Sequence, residues 1–211
     1  MHSPCYSPVY LTFDDGPDPR WTPQILSVLA AAQVRATFFA IGACARRWPE
    51  LLRQVRAEGH EIANHTFEHK HPWMMSAAEA RQQVIDGANA IADVLGSAPR
   101  FYRAPHGRDR RCMTEAAREC GEASVPWDIS AIDWGWLGTA ERIAQRLRWV
   151  CAGNIVLMHD GANRHNHPEE LLRVLPRFLE ELQRRDLRAV PLGHVASEDL
   201  SRGWRSYIHI H

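Results

Sequence analysis

An alternation of short β-prone segments and longer amphipathic ones runs through this chain and constrains its fold more than any other feature. Val9–Phe13, Ala36–Ile41, Glu61–Ala63, Arg100–Arg103, Ala123–Trp127, Asn154–His159 and Arg188–Leu192 read as strands. The segments between them carry helical spacing. Thr22 followed by Pro23 reads as an N-cap with proline at the first helical position. Pro49–Glu58 ends at Gly59, and Ser76 opens a long helix whose Val84, Ala88, Ile91 and Leu95 share a face before Gly96 stops it. Thr114–Cys120, Thr139–Val150 and Pro168–Arg185 complete the set, the last with Leu171, Leu175, Phe178 and Leu182 aligned. Strands joined by helices pair in parallel, because a parallel neighbour needs a crossover of that length. The expected fold is one α/β domain, either a βα barrel or a doubly wound sheet.

The polar residues cluster just past the strands: Asp14-Asp15, His65, Arg103, Asp133 and His159-Asp160. In both architectures the loops at the carboxyl ends of the strands build the site, so these residues should converge on one mouth. That convergence argues for an enzyme. Composition narrows the class further. The 25 Lys+Arg balance 25 Asp+Glu, which excludes a general nucleic-acid binder, and 45% hydrophobic content excludes an acidic disordered chain. The 12 His point to site chemistry more than to surface charge. Five Cys without a Cys-x-x-Cys pair read as reduced thiols, not as a disulfide framework or a thiolate zinc site. The longest uncharged run, Trp21–Val34, falls short of the roughly 18–20 residues of a membrane span. The first ten residues lack the pattern of a secretory signal, so a cytoplasmic location is expected.

His65 and His69 stand four residues apart, a spacing that on one helical turn lets two imidazoles share a metal. A third ligand is expected from Asp14-Asp15; adjacent carboxylates on extended backbone point to opposite sides, so one can ligate while the other faces a bound water. Taken alone, Asp-Asp-Gly-Pro also reads as a plain turn. A metal held by two His and one Asp, with an open position, acidifies water and polarises a carbonyl, and the free Asp can serve as general base. His159 is a candidate acid for a leaving amine, Asp133 a candidate to hold it protonated, and Arg103 a candidate to orient the base.

These residues fall in a known order. Tyr10-Leu11-Thr12-Phe13-Asp14-Asp15-Gly16-Pro17 resembles the first motif of the NodB-type polysaccharide deacetylases, carbohydrate esterase family four. His65–His69 is similar to their second motif, Arg103-Ala104-Pro105-His106-Gly107 to the third, Asp133-Trp134 to the fourth and Leu157-Met158-His159-Asp160 to the fifth. The resemblance implies a distorted (β/α)₇-type barrel and metal-dependent removal of N-acetyl groups from amino sugars. It implies Asp14 as base, Asp15, His65 and His69 as ligands of one divalent ion (zinc foremost, cobalt, nickel or manganese otherwise), Arg103 and Asp133 as supporting residues and His159 as acid. Trp134 and Leu157 would line a pocket for the acetyl methyl, and the Pro105-His106 segment would meet substrate and lend a backbone N–H to the oxyanion. Residues 1–8 then read as an extension, 9–195 as the deacetylase domain and 196–211 as a tail. Two positions depart from the family pattern: His106 where Tyr or Phe is usual, and Ser130 where an Asp often precedes Asp133.

A cytoplasmic member is expected to act on a soluble N-acetylated amino sugar or a short chitooligosaccharide, the pattern of the nodulation type. Trp73, Trp127, Trp134 and Trp136 could stack on sugar rings. Three alternatives stand beside this reading. One is a metal-dependent amidase on a cyclic imide or ureide. A second is a peptidoglycan N-acetylglucosamine deacetylase, if the chain is exported. The third is a catalytically silent carbohydrate-binding module.

Overall fold

The computed structural model describes residues 7–161, 163 and 165–194. Its centre is strand β1 (Ser7–Asp14). β7 (Ile155–His159) pairs along Tyr10–Asp14, while β8 (Leu187–Val190) and β2 (Thr37–Ala40) share the other edge. β3 (Glu61–Asn64), β4 (Phe101–Tyr102) and β5 (Ala123–Ser124) extend the sheet beyond β2, and β6 (Ile129–Ser130) ends it beyond β7. Every ladder is parallel. The sheet curls into a parallel half-barrel, the distorted (β/α)₇-type architecture expected above.

The pleat of β1 explains how one strand serves both core and site. Val9, Leu11 and Phe13 face outward and pack on Ile25, Leu26 and Leu29 of α1 (Thr22–Ala31) and on Leu171, Leu175, Phe178 and Leu182 of α7 (Pro168–Arg184). Tyr10 faces the barrel interior and joins Phe39, Ala63, Phe101, Ile155 and Val190 in an apolar plug. Two and four residues on, Thr12 and Asp14 lie on the same inward face above that plug. The β7 residues Ile155, Leu157 and His159 follow the same progression from plug to mouth.

The remaining helices are α2 (Gly42–Arg47), α3 (Pro49–Ala57), α4 (Ala77–Leu95), α5 (Arg111–Glu119) and α6 (Ala140–Leu147). Ser76 caps α4 in a full capping box with Glu79, and Gly96 ends it in the left-handed conformation. Three details differ from the sequence reading. Thr22 is the first helical residue, not the cap; its hydroxyl donates to Asp160 Oδ2 at 2.6 Å and accepts the amide of Asp18 at 2.8 Å. The segment read as one strand over Ala123–Trp127 breaks at Pro126, which cannot donate to a ladder, and β6 forms only after it. α2 carries too little periodicity to be read. Residues 195–211 lie outside the described residues, as do residues 1–6.

Behind the mouth, Asn64 at the end of β3 donates through Nδ2 to both carboxylate oxygens of Glu122 (3.1 and 2.9 Å) and to the carbonyl of Val84 (3.0 Å). Its Oδ1 accepts the amide of Thr66 at 2.9 Å, which fixes the chain's exit toward His69. Burial pushes the Glu122 carboxyl up to about 8, against the opposing pull of Asn64. The folded state thus holds this proton to higher pH than the unfolded chain, whose carboxyl releases it near 4.5. This contribution to stability is complete below pH 4.5 and is lost as pH rises toward 8. Glu122→Gln is therefore expected to flatten the decline of denaturant-derived stability between pH 5 and 8. A slope equal to that of the parent would contradict this.

Candidate active site

The carboxyl ends of β1, β3 and β7 and the turn after β4 surround a cavity of about 280 Å³. Asp14, Asp15, His65, His69 and His159 line it, with Trp127, Trp134 and Leu157 as apolar wall. The five polar groups read from the sequence thus meet in one place, but not on the elements expected. His65 and His69 do not share a helical turn. They flank an irregular loop in which Thr66 (φ 64°) and His69 (φ 56°) adopt left-handed backbone. Asp14 and Asp15 do not diverge as on extended strand either. Asp15 turns to φ 77°, and both carboxylates come to the same imidazole: His65 Nε2 lies 3.4 Å from Asp15 Oδ1 and 3.7 Å from Asp14 Oδ2. Such non-glycine backbone outliers are held where the surrounding structure over-determines them.

Asp15 is the centre of the arrangement. Its Oδ1 is buried without a hydrogen-bond partner, facing His65 Nε2 and, at 3.1 Å, His69 Nε2. Two ligand atoms about 2.1 Å from a tetrahedral zinc lie roughly 3.4 Å apart, so this spacing suits a cation between them. The tautomer of His65 fits too: Nδ1–H donates to the carbonyl of Arg103 at 2.9 Å, leaving the Nε2 lone pair toward the carboxylates. Burial holds His69 down to about 4 despite Asp15, so its ring is a neutral donor at pH 7. Burial likewise opposes charge on Asp15 and His65. The imidazoles of His65, His69 and His159 nonetheless hold the Asp15 carboxyl far below its ordinary range, and Asp14 with Asp15 raises His65. Asp15, His65 and His69 are the three residues that could together hold a metal among the described residues.

Asp14 and His159 each have a buried partner behind them. Arg103, 1% exposed, donates through Nη1 to Asp14 Oδ1 (2.7 Å) and Thr12 Oγ1 (2.8 Å), and through Nε and Nη2 to the carbonyls of Val125 and Pro126. Its guanidinium carbon lies 4.0 Å from the centroid of Phe39. Asp133 grips His159 twice, accepting Nδ1–H at Oδ1 and the backbone amide at Oδ2, both at 2.8 Å. Burial works against the imidazolium, but the charge and hydrogen bond of Asp133, helped by Asp15 and Asp14, raise His159 to about 9.

The third-motif residues separate. His106 (φ 57°) lines the cavity and packs its ring 4.6 Å from that of His69 and 5.1 Å from that of His71. Pro105 does not line it; it is buried and starts the turn that presents His106. Of the aromatic residues proposed for stacking, Trp127 and Trp134 reach the cavity, whereas Trp73 and Trp136 are exposed beneath Arg110 and Arg142. Ser130 uses its hydroxyl locally, accepting the amide of Ile132. Sequence reasoning missed the amides of Asn163 and Asn166, which both reach Asp15.

The sequence profile of polysaccharide deacetylases matches residues 3–125. A chitooligosaccharide deacetylase of Bradyrhizobium sp. is 37% identical over 87% of this chain and 88% of its own length. A peptidoglycan-N-acetylglucosamine deacetylase of Bacillus cereus is 33% identical over 89% of this chain and 87% of its own. Among solved structures, a family 4 carbohydrate esterase from Streptomyces lividans in complex with acetate superposes with a TM-score of 0.79 at 30% identity, covering 88% of this chain and 92% of that one. With both the sequence match and the barrel in agreement, this chain belongs to the polysaccharide deacetylase family.

Proposed function

We propose that this protein hydrolyses the N-acetyl group of an amino sugar within a short chitooligosaccharide, releasing acetate and leaving a free amine. The observation that carries the reading is the joint placement of Asp14, His159 and the Asp15–His65–His69 cluster around one cavity. Asp15, His65 and His69 would hold one divalent cation, zinc foremost, which when bound polarises the acetyl carbonyl and makes water a stronger acid.

The chain's own residues supply the proton traffic. Asp14 accepts the proton of the attacking water. Arg103 fixes one of its oxygens, leaving Oδ2 toward the cavity. His159 starts as the imidazolium favoured by Asp133 and delivers a proton to the departing amine nitrogen. Water contributes OH to acetate and a proton to Asp14, and the C–N bond breaks as nitrogen takes the proton of His159. Leu157 and Trp134 form an apolar wall suited to the acetyl methyl, and Trp127 offers a face to a sugar ring. The rhizobial relatives, 37% identical, support the short chitooligosaccharide as substrate. The Bacillus cereus relative supports peptidoglycan N-acetylglucosamine as the second reading. The silent-module alternative would need a broken position among these residues, and all of them stand intact.

Zinc-loaded protein is expected to release acetate from fully N-acetylated chitotetraose faster than from peptidoglycan fragments; the reverse ranking favours the second reading, and no release from either overturns the proposal. Asp14→Asn is expected to lower kcat by about 10²–10⁴-fold with bound metal unchanged; full turnover would exclude Asp14 as base. In Asp133→Asn the His159 ring, followed by NMR, is expected to titrate well below about 9, and the alkaline limb of kcat/KM to move to lower pH with it. An unmoved titration would show that Asp133 does not hold that proton.

A further inference from the structure

The two oxygens of Asp15 live in different surroundings. Oδ1 is buried, accepts no hydrogen bond and faces the imidazoles. Oδ2 accepts two amides from the segment after β7: Asn163 Nδ2 at 2.9 Å and Asn166 Nδ2 at 2.7 Å. The orientation of each amide follows from its other contacts. Asn163 Oδ1 accepts the backbone amides of His165 (2.7 Å) and Asn166 (3.0 Å), so the Asn163 nitrogen must face Asp15. Asn166 Nδ2 also donates to the carbonyl of Gly161 at 3.0 Å, and both of its partners are acceptors, so it too must be the nitrogen. Gly161 permits this approach: a Cβ there would collide with the backbone of Asp15.

We infer that Asn163 and Asn166 are positioning residues that lock Asp15 as a one-oxygen ligand, a reading that rests on the metal centre proposed above. A carboxylate torsion is broad and two-fold, so a free Asp15 could exchange its oxygens or offer both. Two donors on Oδ2 fix the plane, neutralise part of the charge on the back oxygen, and leave Oδ1 alone for the cation. Hydrogen bonds of this kind to a ligand typically change metal affinity by about 10–100-fold. The same loop ties this control to the acid: His167 donates its amide to the carbonyl of Asp133 at 2.8 Å, and Trp134 bridges to Asn166. One segment thus supports both the metal ligand and the proton donor.

The test is zinc affinity of the full chain, stripped and then titrated against a chromophoric chelator. The parent is compared with Asn163→Ala, Asn163→Ser and Asn166→Ala. Serine can keep the local turn by accepting the backbone amides, but it is too short to donate to Asp15. Each variant is expected to bind zinc about 10–100-fold more weakly, with Asn163→Ser as weak as Asn163→Ala. The thermal midpoints of the metal-free proteins should stay together, and the visible spectrum of the cobalt form should change. Parent-like affinity in all three variants overturns the inference while leaving the metal reading intact. Parent-like affinity in Asn163→Ser alone overturns it in favour of a loop-folding role. A parent chain that binds no zinc overturns the metal reading, and the inference falls with it.

Discussion

The buried guanidinium of Arg103 is the interaction on which the rest of the site depends. It reaches across the interior of an open barrel. Strand β1 supplies Thr12 and Asp14, the chain after β4 supplies Arg103 itself, and the carbonyls of Val125 and Pro126 follow β5. β1 and β5 lie at opposite ends of a five-strand run, β5-β4-β3-β2-β1, so these bonds fix the curl of the sheet at the level of the mouth. A buried charge this deep is tolerable only when paired and fully hydrogen-bonded; removing one partner typically costs roughly 3–5 kcal/mol. The same pairing sets the geometry of Asp14, so curvature and the proposed base share one constraint.

Charge balance explains the remaining layout. Two carboxylates, Asp14 and Asp15, sit at one strand end, and each is answered by different means. Asp14 has Arg103. Asp15 has two imidazoles on one oxygen and two amides on the other, a set that favours an added cation at Oδ1. Asp160, beside them, takes the third solution. Burial raises it to about 7 against the pull of Thr22, and its packing against Gly16 leaves no room for a Cβ at that turn. His159 benefits from the same negative surroundings, which keep a proton on it, as the proposed role of acid requires.

Much of this was legible in the sequence, for physical reasons. A parallel barrel imposes strong periodicity and puts its polar residues at strand ends, so Asp14, Asp15, His65, Arg103, Asp133 and His159 could be picked out and expected to converge. Local conformation was harder. The His65–His69 spacing suggested a helix, because four-residue spacing is helical by default; the observed loop depends on left-handed residues and on Asn64, whose effects are tertiary. The two-residue strand β6 leaves no period to read. Asn163 and Asn166 carry no signal in the sequence, since surface asparagines are common and only the fold brings their amides to Asp15. Thr22 looked like a cap for the same reason: its real partner, Asp160, is 138 residues away.

The proposed chemistry depends most directly on a cation at Asp15, His65 and His69. Anomalous diffraction at the zinc edge, from crystals of the full chain grown with zinc, measures this without reference to activity. A single strong peak within bonding distance of Asp15 Oδ1, His65 Nε2 and His69 Nε2, with Asp15 Oδ2 still on the two asparagine amides, is the result predicted. A peak that avoids Asp15, such as one between His71 and His106, would contradict it.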